Sequence, residues 1–316
     1  MRMRSELALG LLLGLAILLC GCALLNPSPV ARFEVAPVVV YARETVTFDA
    51  SSSYSGQSIV SYTWEFEDGE VASGLKVSHI YTEPGRYLVT LHVKDAGGRN
   101  AWVSDEILVY LRSGSEIFFE DFSSGTQALA DWKLDPAWAS TTEGKIENLS
   151  GVHGFVLHID SGMDRWHRRT TAVKVPPLRF GQMLVISCQV MTSHTQDAHT
   201  FFIFPGRKSL DSLAGSLPYF VYTSAGEGAY LREPDKYGGD VGHPLSFKPG
   251  VYLWYTYKFV FSSEGYRFYV NDVCYASGAI FESFTDSSDW LILLGDESHA
   301  EACNAYFDNI RMWIEE

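Results

Sequence analysis

Apolar and polar positions fall into three patterns along this chain. The first is an apolar run from Leu7 to Leu19 behind two basic residues, Arg2 and Arg4. It is shorter than the roughly 20 residues a helix needs to cross a bilayer. A basic start, a short apolar core and small residues after it predict a secretory leader. The second pattern begins at Val30, where Glu44–Asp49 alternates polar and apolar as a strand with one buried face should. Strands are predicted at Ile59–Phe66, His79–Tyr81, Tyr87–Val93 and Ala101–Leu111, separated by turns at Ala50–Gly56, Glu67–Gly69, Glu83–Gly85 and Asp95–Gly98. Six or seven short strands in about 80 residues, with no helical period, predict a small β-sandwich.

The third pattern fills residues 117–316. Strands are predicted at Gly154–Ile159, Met183–Val190, Phe201–Phe204, Tyr252–Phe261, Tyr266–Val270, Trp290–Leu294 and Ala305–Ile314. With no amphipathic helix among them, these predict a two-sheet jelly roll. The expected organisation is a leader (1–21), a linker (22–29) stiffened by Pro27 and Pro29, a first sandwich (30–111), a polar hinge (112–116) and a jelly roll (117–316).

Three resemblances add to this reading. Leu19-Cys20-Gly21-Cys22 resembles the lipobox of bacterial lipoproteins. It implies cleavage before Cys22, a diacylglycerol on the Cys22 thiol and anchorage outside the cytoplasm. Ala23 is not the aspartate that retains lipoproteins at the inner membrane of enteric-type bacteria, so an outer-membrane or cell-surface location is expected. Val46–Ser53, Tyr62–Gly69, His79–Tyr81 and Pro84–Leu91 resemble the PKD (polycystic-kidney-disease) repeat, an immunoglobulin-like sandwich. Glu67 stands where that family usually has glycine. The resemblance implies a spacer or binding module with Trp64 as its core aromatic. Phe118–Phe122, Trp132, Trp138, Trp254–Phe261, Tyr266–Asp272 and Tyr306–Trp313 resemble the concanavalin A-like jelly-roll group, which includes laminin-G-like modules, carbohydrate-binding modules and some glycosidases.

Charge narrows the partners. Of 24 Lys+Arg and 38 Asp+Glu, loss of residues 1–21 removes Arg2, Arg4 and Glu6, leaving 22 against 37 and a net charge of −15. Such an acidic chain does not suit nucleic acid, nor an anionic membrane surface, so the lipid is expected to do the holding. Beyond Cys22, the mature chain has only Cys188, Cys274 and Cys303, with no metal-ligand spacing among them. One disulfide is the maximum, Cys274 with Cys303 being one pairing, and Cys188 reads as a buried strand residue.

Candidate chemistry follows from residue type. No Glu-x-Asp-x-x-Glu run, the carboxylate pattern of glycosidases in this jelly-roll group, occurs in 117–316, and no Gly-x-Ser-x-Gly elbow, so nothing points to catalysis. Between Leu217 and Gly250 lies a segment without clear strands that carries Tyr219, Tyr222, Tyr230 and Tyr237 among charged and glycine residues. Tyrosine faces stack on the apolar face of a sugar ring, so these four are candidate glycan contacts. Arg165 and Trp166, in the basic knot Asp164–Arg169, are candidates for an anionic glycan. No cofactor is required, but Glu120, Asp121 and Asp308 are candidate ligands for a structural calcium that the jelly-roll resemblance implies, and the turn acids Asp68 and Asp95 are a second candidate pair. The expected function is an envelope lipoprotein that binds polysaccharide. The alternatives are a scaffold or adhesin binding envelope proteins, and a polysaccharide-degrading enzyme.

Overall fold

A computed structural model describes residues 27–134, 145–149, 153–160, 168–193, 198–206, 219–224, 228–234, 240–280, 284–295 and 304–316. The chain divides into two compact units at Tyr110/Leu111.

In the first unit the strands are β1 (Glu34–Ala36), β2 (Val40–Tyr41), β3 (Thr45–Asp49), β4 (Ile59–Phe66), β5 (Val71–Ser73), β6 (Lys76–Ile80), β7 (Gly85–Asp95) and β8 (Asn100–Tyr110). They form a sheet β1-β3-β6 and a sheet β2-β8-β7-β4-β5, the two layers of an immunoglobulin-like sandwich. Period-two alternation turns Val46 and Phe48 of β3, Trp64 and Phe66 of β4, and Val89, Leu91 and Val93 of β7 into one core. Trp64 is fully buried, and its indole N–H donates to the Gly74 carbonyl at 2.9 Å, so its polar edge is satisfied. Glu67 fits the turn after β4 because the left-handed backbone there belongs to Gly69 (φ +94°). The Glu67 carboxylate accepts the Leu88 N–H at 2.6 Å.

The second unit contains β9 (Glu116–Glu120), β10 (Lys133–Leu134), β11 (Lys145–Leu149), β12 (Gly154–Asp160), β13 (Arg168–Val175), β14 (Met183–Thr192), β15 (Ala198–Phe204), β16 (Tyr219–Ser224), β17 (Gly228–Pro234), β18 (Asp240–Leu245), β19 (Tyr255–Ser262), β20 (Gly265–Val270), β21 (Val273–Gly278), β22 (Ser288–Gly295) and β23 (Asn304–Glu315). A seven-stranded sheet, β10-β13-β22-β15-β16-β17-β18, packs on an eight-stranded one, β11-β12-β23-β14-β19-β20-β21, with β9 also paired to β23. Phe201, Tyr219, Leu231 and Trp290 from the first meet Leu184, Phe259, Phe261 and Phe307 from the second in a single core. This is the expected jelly roll.

Four expectations change. Segment 217–250 is not a strandless loop, since β16, β17 and β18 form an antiparallel meander within it. Residues 112–116 are stitched into the second unit, not a free hinge: the Gly114 N–H donates to Ile314 O at 2.6 Å, and Glu116 opens β9. Asp68 and Asp95 lie at opposite ends of β4 and do not share a cation, for Asp68 meets His79 at 2.7 Å and Asp95 meets Ser55 and Arg99. Cys274 is a free, exposed thiol, and Cys303 lies outside the described residues. Cys188 is buried as expected, and burial pushes its thiol up.

Candidate glycan-binding face

Alternation along β16 and β17 decides which aromatics can meet a ligand. Tyr219 and Val221 face the core, as do Ala229 and Leu231. Tyr219 is 1% exposed and packs edge-on against Phe261 and Tyr266 at 5.2 and 5.1 Å, so it is a core residue and not a glycan contact. Tyr230 and Arg232, at the intervening positions, lie on the outer face, and Tyr230 is 46% exposed. The register sets Tyr222 opposite Tyr230, and Pro244 of the edge strand on Tyr230's other side. Gly242 pairs with Arg232, whose side chain passes over it, because a Cβ at 242 would sit 3.7 Å from the Arg232 Cγ and Nε.

The middle of the same face differs. In β22, Trp290, Ile292 and Leu294 join the core, while Leu291 and Leu293 point the other way and are buried as well. At β17 and β18, Tyr230, Arg232, Val241 and His243 are exposed beside Gly242 and Pro244. Tyr237, Arg165 and Trp166 lie outside the described residues. Their neighbour Arg169 is buried, donating to Trp132 O at 2.9 Å, so it is not available to a glycan.

At the end of β17 sits a polar cluster that residue spacing did not reveal. The Glu233 carboxylate lies 3.1 Å from His243 Nε2 and beside the Tyr266 phenol, which burial and that carboxylate push up. Gly278 is what admits Glu233, since a Cβ there would collide with the carboxylate. A groove of about 420 Å³ opens nearby, lined by Met183, Val260, Ser262, Glu264, Arg267 and Ser277 among others. The one aromatic ring lining it is that of the buried Tyr266.

The calcium candidates do not assemble as a shell. Asp308 is 1% exposed, and its Oδ2 accepts from His153 Nδ1 at 2.8 Å and from Asn309 Nδ2 at 2.9 Å. Its Oδ1 accepts from the Asn309 N–H at 2.7 Å. His153 is held in place by stacking on Trp254 at 4.0 Å. Burial pushes the Asp308 carboxyl up, against the pull of those donors. Glu120 Oε1 is taken by the Phe122 N–H at 2.6 Å, and burial raises that carboxyl too. Asp121 caps the following turn through Ser123, whose hydroxyl and N–H hold it below the usual range. Among the described residues, no group of three or more Asp, Glu, His or Cys is placed to hold a metal ion.

The PKD domain family matches residues 26–109. A microbial collagenase from Vibrio alginolyticus is 30% identical over 79 residues, which is 25% of this chain and 10% of that protein. The chain thus spans about a tenth, or less, of the length of the curated relatives it matches. A PKD1 domain of Vibrio anguillarum Epp is 30% identical, covering 28% of this chain and 99% of that one, with a TM-score of 0.25. A structure described as a carbohydrate-binding module of the β-sandwich superfamily covers 91% of this chain and 98% of that one, at 16% identity and a TM-score of 0.31.

Proposed function

We propose that the chain is a lipid-anchored envelope protein whose second unit binds a polysaccharide, the PKD domain holding it off the membrane. The observation that carries the binding role is the outer face at β17 and β18. There an exposed Tyr230 stands two residues from Arg232, with Gly242 and Pro244 across the strand. A flat ring stacks on a sugar's C–H face, and the guanidinium donates to hydroxyls or to a carboxylate on the same ring. The lipobox at Leu19–Cys22 supports the anchor and the extracytoplasmic location.

Affinity electrophoresis of the mature chain through gels cast with different polysaccharides tests this. Selective retardation by one polysaccharide is expected. Tyr230→Ala should weaken it about tenfold, a loss of roughly 1.4 kcal/mol, with folding unchanged. Mobility unaffected by every polysaccharide, or retardation identical in Tyr230→Ala, would overturn the reading.

A further inference from the structure

The N-terminal chain is fastened to one end of the first unit. The Pro27 carbonyl accepts from the Gly56 N–H at 2.9 Å, from Arg99 Nη2 at 3.1 Å and from the Ser55 hydroxyl at 3.4 Å. Val30 and Tyr54 exchange backbone hydrogen bonds at 2.8 and 3.1 Å, and Ser53 bonds both the N–H and the carbonyl of Arg32. Behind this clamp, the buried Asp95 anchors Ser55 and Arg99. Segments 27–32, 51–58 and 96–100 are thereby tied into one surface.

That surface holds Arg32 and Arg99 and no Asp or Glu, in a chain with 38 acidic residues. The charges around it are largely paired: Asp95 is buried against Arg99, and Asp49, which accepts the Ser51 N–H at 2.9 Å, pairs with Lys76 at 2.8 Å, with Glu34 opposite Asp49 in the next strand. Arg32 lies over the Tyr54 ring, 5.5 Å from its centroid. Tyr54 is half-exposed, and Leu75, whose carbonyl is bonded by Ala50, adds an exposed apolar side chain at the rim. Tyrosine and arginine side by side suit the headgroup level of a bilayer, where an aromatic ring is half wet and a cation meets phosphate.

Tether length points the same way. However residues 23–26 are arranged, a chain from Cys22 to Pro27 spans at most roughly 18 Å. We infer that this end of the PKD domain, built around Arg32, Tyr54 and Leu75, is a foot that rests on the phospholipid surface. The inference rests on lipidation of Cys22. The opposite end, at Glu83, stands off by the length of β7, roughly 35 Å.

The test uses the full chain, acylated in a bacterial host and reconstituted in phosphatidylglycerol/phosphatidylethanolamine vesicles with a headgroup acceptor dye. In a Cys274→Ser, Cys303→Ser background, a donor dye is placed at Ser52→Cys or Glu83→Cys. Strong energy transfer from position 52 and weak transfer from 83 is expected. A Gly/Ser spacer of about 20 residues inserted before Pro27 adds roughly 25 Å of reach. With it, transfer from 52 should persist, and be lost when Arg32→Glu and Tyr54→Ser are added. Loss of transfer with the spacer alone would show that only the short tether held the domain close, and would overturn the foot while leaving the anchor intact. Mass spectrometry that finds no diacylglycerol on Cys22 would sink the anchor, and the foot with it.

Discussion

Among the described residues, Asp95 of the first sandwich and Asp308 of the second are both buried to 1% exposure, and the two respond in opposite directions. Asp95, in the first unit, is penalised by burial. It nevertheless lies below the usual carboxylate range, because Ser55, the Arg99 N–H and the Arg99 guanidinium all bond it. Asp308, in the second, has just as many partners, from His153 and Asn309, yet burial wins and its carboxyl is pushed up. Counting hydrogen bonds does not predict the sign. What separates the two sites is a guanidinium, charged at every accessible pH, in contact with one carboxylate and absent among the partners of the other.

The largest effect expected is independence of the two units. Trp64→Ala should remove about 3–5 kcal/mol from the first unfolding transition, and Trp290→Ala a similar amount from the second. Differential scanning calorimetry should show each change leaving the other transition in place, and one merged transition that shifts with either would break the comparison. Next in size is Asp95→Asn. It leaves Arg99 facing an amide at the Pro27 clamp and should lower the first transition at pH 7 without touching the second.

Acid should separate the units further. A carboxyl whose folded pKa lies below its unfolded value contributes stability that is full above the unfolded value and is lost as pH falls through the folded one. Lys76 and Ser51 hold Asp49 at about 2 against an ordinary 3.8, and Asp95 is lowered as well, so the first transition should fall between about pH 4 and 2. Asp308 and Glu120 are raised, so each costs stability at neutral pH, and the cost is relieved as pH falls through their raised values. Thermal scans from pH 7 to 3 should therefore show the second transition holding or rising before the first declines. The smallest effect is read in that acid response: Asp308→Asn should reduce the second transition's rise, with Glu120 supplying what remains.

Strand placement was legible from residue order wherever period two was clean. Ile59–Phe66 is a strand with the predicted ends, Trp64 sits in the core, and both units are β-sandwiches. Segment 217–250 misled because glycines, prolines and charges interrupt its alternation, masking three short strands. The clamp on Pro27 was hidden too, since it joins segments far apart along the chain.

The residues alone thus determined the class of fold and the place of Trp64 in the core of the first unit, both of which depend on local order along the chain. Only the tertiary structure decided that Tyr219 faces inward and Tyr230 outward, that Asp68 and Asp95 lie at opposite ends of β4, and that Pro27 is clamped by Arg99. Alternation tells which neighbours point apart but not which face is covered. That is set by pairing across strands distant in sequence, and by what the second sheet brings down on top of them.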